Sequence, residues 1–104
     1  MKIIYTRLMT LHKFAAINLF GVLLAPKGAP MVSRTICHEA IHTLQMKEML
    51  YVFFYLWYAA EWLIRLFGPG NAYRNIAFEK EAYDHEHDEH YPNNRKPYTW
   101  LKYL

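Results

Sequence analysis

The spacing of apolar positions divides the chain into segments with different periods. Residues 1–13 alternate basic and apolar types, and residues 14–25 are apolar apart from Asn18 and Gly21. The run 17–24 predicts a strand, closed by the turn Pro26-Lys27-Gly28-Ala29-Pro30. From residue 33 the period lengthens. His38, Ile41, His42, Gln45 and Met49 fall three and four apart, on one face of a helix that Ser33 or Thr35 can cap. Residues 49–60 follow without a charge, and then Glu61 and Arg65, four apart, can pair along a helix face.

Gly68-Pro69-Gly70-Asn71 predicts a break. A second helix follows within 71–91, from about residue 73 to residue 90, where Pro92 stops it. Its phase sets Ala72, Ile76, Glu79, Ala82, Tyr83 and Glu86 on one face. Glu81 points about 160° away from Glu79, towards Asp84, His85 and Asp88, on a face of solvent character. Residues 92–104 read as an extended tail packed by Tyr98, Trp100 and Tyr103. The expected fold is a single α+β domain over 1–104, mainly helical. A short N-terminal strand or hairpin (1–32) packs against a motif helix with its aromatic extension (33–67), and the glutamate-bearing helix (71–91) packs beside them.

Composition narrows the class. Apolar residues make up 54% and aromatics 17% of 104 residues, which excludes disorder for most of the chain. The formal charge of +3 is unevenly placed. Residues 1–35 carry five basic and no acidic side chains, while 79–90 carry six of the nine carboxylates. The basic residues form no dense stripe, so no nucleic-acid partner is expected. A lone cysteine, Cys37, forms no internal disulfide and reads as a buried, inert thiol. A basic start before an apolar run has the outline of a signal peptide, but Lys13 abuts the run and the Pro/Gly segment is a poor cleavage context. The expected location is cytoplasmic or peripheral to a membrane. Residues 49–67 are short for a span and rich in tyrosine and tryptophan, so they read first as a core helix, next as membrane-surface contact and last as a transmembrane span. Oligomeric state has no signal in the sequence.

The chemistry lies in His38-Glu39-Ala40-Ile41-His42. Two imidazoles four apart on a helix can reach one Zn2+ ion, and Glu39 between them can hold a water without being a ligand. A third ligand must come from elsewhere, with Glu79, Glu81, Glu86 and the later histidines as candidates. Glu79 leads, because an unpaired carboxylate on an apolar face is costly to bury and a metal removes that cost. An Arg74–Glu79 surface pair is the alternative use of that carboxylate. Tyr73, Arg74, Tyr83 and His85 are candidate oxyanion donors. The run from Asp84 to His90 offers His85, His87 and His90 as a secondary metal site, or simply a solvated helix end.

His38-Glu39-Ala40-Ile41-His42 followed by Phe78-Glu79-Lys80-Glu81-Ala82-Tyr83 resembles the gluzincin metallopeptidases, and by size the minigluzincins. In that clan a glutamate on a second helix completes a His, His, Glu zinc site, and the resemblance puts that ligand at Glu79. Tyr83 stands where the related Glu-x-x-Ala-Asp pattern has aspartate. Segments 38–42, 55–58 and 72–79 also resemble small uncharacterised bacterial HExxH proteins, over about half the chain. The resemblance implies zinc-dependent hydrolysis of a peptide or protein substrate with Glu39 as general base. The competing expectation is a catalytically silent, zinc-stabilised binding or membrane-adjacent adaptor module.

Overall fold

The computed structural model describes residues 2–6, 17–26 and 33–104. It is α+β and mainly helical, as the periodicity predicts. Strands β1 (Lys2–Thr6), β2 (Ile17–Leu19) and β3 (Val22–Pro26) form one sheet in the order β1-β3-β2. The 17–24 run is therefore a hairpin rather than one strand. Phe20 and Gly21 both have positive φ, 52° and 88°, which is what a two-residue turn needs to follow the twist of its strands. Phe20 is held there by its amide, which donates to Tyr55 Oη at 3.0 Å, and by its ring against Tyr55. β1 runs parallel to β3, pairing Lys2 with Val22 through Thr6 with Pro26.

Helix α1 (Ser33–Glu48) carries the motif. The residue before Ser33, where the capping geometry would be judged, lies outside the described residues. The aromatic segment is a separate helix, α2 (Val52–Arg65), not a continuation of α1. Leu50 and Tyr51 sit at φ 52° and 58°. The Tyr51 amide donates to Met46 O (2.7 Å) and the Leu50 amide to Lys47 O (3.3 Å), a Schellman closure with leucine at the position glycine usually takes. Sequence reading misses this break because no glycine marks it. Among the described residues, no helix is long and apolar enough to cross a membrane.

Helix α3 (Ala77–His85) is shorter than the predicted 71–91 helix. Residues 71–76 form turns instead, because Asn71 accepts from the Arg74 amide and Asn75 donates to Pro69 O. These local side-chain bonds compete with the helical ladder. Glu61 of α2 starts α3: its Oε2 accepts from the Ala77 amide at 3.0 Å and from Arg65 at 3.1 Å. The expected Glu61–Arg65 pair is present, and the carboxylate has the added task of holding an otherwise free first-turn amide.

The tail is not extended. Pro92 opens the short helix α4 (Tyr91–Asn94), and Thr99–Tyr103 forms a 3-10 turn. Trp100 is buried against Phe78 and Trp57, in a core with Met46, Phe54 and Ile76. A second cluster of Cys37, Ile41 and Ala82 joins α1 to α3. That contact sets the two helices close enough for their polar faces to meet.

Candidate metal centre

His38 and His42 lie one turn apart on the buried face of α1, and the first turn of α3 brings Glu79 opposite them. Three atoms converge. His38 Nε2 is 3.1 Å from His42 Nε2, His38 Nε2 is 3.1 Å from Glu79 Oε1, and His42 Nε2 is 3.0 Å from the same oxygen. All three residues are buried. Among the described residues, this is the one group of histidine, cysteine, aspartate and glutamate side chains that can hold a metal ion.

The far side of each imidazole fixes what its Nε2 can do. Gln45 Nε2 donates to Phe78 O and Glu81 Oε1, at 3.1 and 3.0 Å, so the amide oxygen of Gln45 must face His42. His42 Nδ1 therefore donates to Gln45 Oε1 at 2.8 Å. His38 Nδ1 donates likewise to Glu86 Oε2 at 2.9 Å. With both Nδ1 atoms protonated, each neutral ring aims its Nε2 lone pair at one point, beside a carboxylate oxygen. Such a triangle demands a positive charge. A tetrahedral ion with bonds of about 2.0–2.1 Å spaces its ligands about 3.3 Å apart, so the three atoms fit one with little movement.

Glu79 is prepared by its other oxygen, which accepts from Tyr58 Oη at 2.7 Å. Burial would raise its pKa, but His42 charge and hydrogen bonds from His38, His42 and Tyr58 hold it well below the usual carboxylate range. Burial opposes charge on His42 as well, yet the Glu79 carboxylate outweighs it and pushes the imidazole up to about 9. Without an ion, a proton on His42 supplies the missing charge. Binding an ion at pH 7 must displace that proton, so calorimetry in buffers of different ionisation heat should find about one proton released per ion.

A stability signature accompanies this. His42 is raised from 6.5 to about 9, so in the ion-free protein its contribution is full below about 6.5 and fades as pH rises through about 9. Glu79 is lowered from 4.5, so its contribution is present above that value and fades as pH falls through its depressed pKa. Unfolding of chelated protein should show a loss of stability between about pH 6.5 and 9 that bound ion removes.

The triangle opens onto a cavity of about 710 Å³. Glu39 lines it beside the histidines, and burial pushes its carboxyl upward against the opposing pull of His42 and His38. Ile17 and Asn18 of β2 form one side, tied to α1 by Asn18 Nδ2 donating to Glu39 O (3.1 Å) and Thr43 Oγ1 (3.0 Å). Tyr73, Arg74 and Tyr83 form another. The Tyr73 and Tyr83 hydroxyls are 3.3 Å apart, and the Arg74 guanidinium lies 3.8 Å above the Tyr83 ring rather than on Glu79. Burial and the nearby Glu79 raise Tyr73, which keeps it a neutral donor.

Several candidates stand elsewhere. His85 is away from the cavity lining, stacked on Tyr91 at 3.7 Å and bonded to Tyr103 Oη at 3.1 Å. His87 and His90 are exposed, and neither they nor His85 belong to the metal-holding group. Glu86 partners His38 through its Nδ1. Cys37 is buried, its thiol directed at the Asp88 carbonyl (3.3 Å) and raised by burial.

Glu81 is the largest departure from expectation. It is fully buried, not on a solvent face. Arg95 reaches it with Nη2 at 3.0 Å while also clasping Glu48 at 2.8 Å, and Tyr91 donates to it at 2.7 Å. The helix phase is as expected, but the C-terminal segment folds over that face and brings a cation with it. The roles of Gln45, Tyr58 and Arg95 escaped the sequence reading. Gln45 alone gave a signal, as a polar residue on the ligand face.

No family model, curated protein or solved structure matches this chain.

Proposed function

We propose that this chain is a small zinc-dependent metallopeptidase. The observation that supports the reading best is the convergence of His38 Nε2, His42 Nε2 and Glu79 Oε1 at a cavity that Glu39 also lines. A donor set of two imidazoles and one carboxylate suits zinc, with a fourth position left for reaction. A bound zinc ion supplies Lewis acidity, which acidifies water and polarises a carbonyl. Glu39 takes the proton of the attacking water and returns it to the leaving amine, a task helped by its raised pKa. Tyr73, Tyr83 and Arg74 line the wall from which the oxyanion can be steadied. An extended peptide can enter along β2, an edge strand of the described sheet whose Ile17 and Asn18 line the cavity.

Glu39→Gln is the direct test. The variant should retain about one zinc per chain and lose at least about 10²-fold in peptide hydrolysis. Equal cleavage by wild type and variant would remove Glu39 from the reaction. A wild-type chain that binds zinc and cleaves no peptide library would instead be the metal-stabilised binding module.

A further inference from the structure

Helix α2 is inverted relative to an ordinary surface helix. Its carboxylate points inward: Glu61 is buried on the Ala77 amide and draws the half-buried Arg65 against it, while Tyr58 turns its hydroxyl onto Glu79. Its outer stripe is apolar. Phe53, Leu56, Leu63, Ile64 and the following Phe67 are all more than half exposed, with Phe67 at 94%. Soluble chains seldom leave an apolar stripe of this length uncovered. The helix is too short to cross a bilayer, so whatever covers the stripe lies alongside it.

Two further observations select the cover. Phe53, Leu56, Leu63, Ile64 and Phe67 carry no polar side-chain atom, and the neighbouring Trp57 indole is already spent on Glu61. A protein partner of standard size is held by roughly ten hydrogen bonds, whereas a bilayer requires none. Charge is also polarised along α1. Exposed Lys47 stands at its C-terminal end, where α2 begins, and exposed Lys96 lies two residues before Tyr98, which bonds to Glu48 at the same junction. At the opposite end, about 15 Å along the helix from Lys47, exposed Asp88 and Glu89 sit where Cys37 meets Asp88 O and outnumber the exposed Arg34 of the first turn. Trp57 and Trp62, each about two-fifths exposed, are of the type that favours a lipid–water boundary.

We infer that the outer face of α2 lies in the plane of an anionic lipid surface, with Lys47 and Lys96 at headgroup level. The inference is independent of the metal chemistry.

Vesicle co-sedimentation of the full chain tests it, with phosphatidylcholine alone and with about one third phosphatidylglycerol. Wild type should partition onto the anionic vesicles at least about tenfold more strongly than onto neutral ones. Leu56→Gln/Leu63→Gln should lower binding to both by at least about tenfold while leaving the far-UV circular dichroism unchanged. Lys47→Gln/Lys96→Gln alters only exposed positions, and should lose the preference for anionic vesicles. A folded wild type that ignores both vesicle types overturns the inference. So does a lipid-indifferent dimer in light scattering that Leu56→Gln/Leu63→Gln dissociates, since the stripe would then cover itself with a second copy.

Discussion

Glu79→Ala should strip the ion from the protein. A structural zinc site is worth about 10–16 kcal/mol over four ligands, or about 3 kcal/mol each, so losing one carboxylate should weaken binding by at least about 10²-fold. His42→Ala should do the same, and in addition leave Gln45 Oε1 without its donor. Two milder changes rank below these. Gln45→Leu removes the acceptor that fixes the His42 tautomer, for which about 10- to 100-fold in affinity is expected. Tyr58→Phe removes one hydrogen bond from Glu79 Oε2 and should cost least. Competition titration against a chromophoric chelator gives the order directly. If Tyr58→Phe and Glu79→Ala weakened binding equally, Glu79 would be acting through its fold rather than as a ligand.

Arg95→Met should be the most destabilising single change outside the metal centre. Arg95 side-chain exposure is 3%, and it answers two carboxylates, Glu81 at 0% and Glu48 at 10%. Removing it leaves like charges facing each other in the interior, for which about 3–5 kcal/mol is expected. That is a large part of the roughly 5–15 kcal/mol by which a domain of this kind is stable. The number reports an orphaned pair of charges, not the net worth of the ion pair. Arg95→Met with Glu81→Leu should therefore recover part of the loss, and urea unfolding of the single and double variants measures how much. Because Gln45 bonds both Glu81 and His42, the single variant should also loosen ion binding.

The contrast between Glu79 and Glu81 shows what the sequence could reveal. Both are buried on one nine-residue helix. Glu79 was legible because its neighbours at helical spacing are apolar, so its carboxylate required a partner, and the histidine motif supplied one. Glu81 shares its face with Asp84 and His85, and local phase alone assigns such a face to water. Its partner lies 14 residues further on, in a segment with no helical period to place it. Long-range return of the chain decides that case, as it does the parallel pairing of β1 with β3. The break between α1 and α2 was hidden for another reason. Leucine and tyrosine take positive φ at Leu50-Tyr51, against their usual preference, and no residue type advertises it.

The anchoring of α3 by Glu61 has a consequence for how the centre is assembled. Nine residues are too few to hold a helix in isolation, so α3 gains its shape only from its neighbours. Its first amide is held by a residue of α2, so α3 depends on α2 as well as on its packing against α1 through Cys37, Ile41 and Ala82. Glu79 is thus held opposite His38 and His42 only while α1, α2 and α3 are all docked.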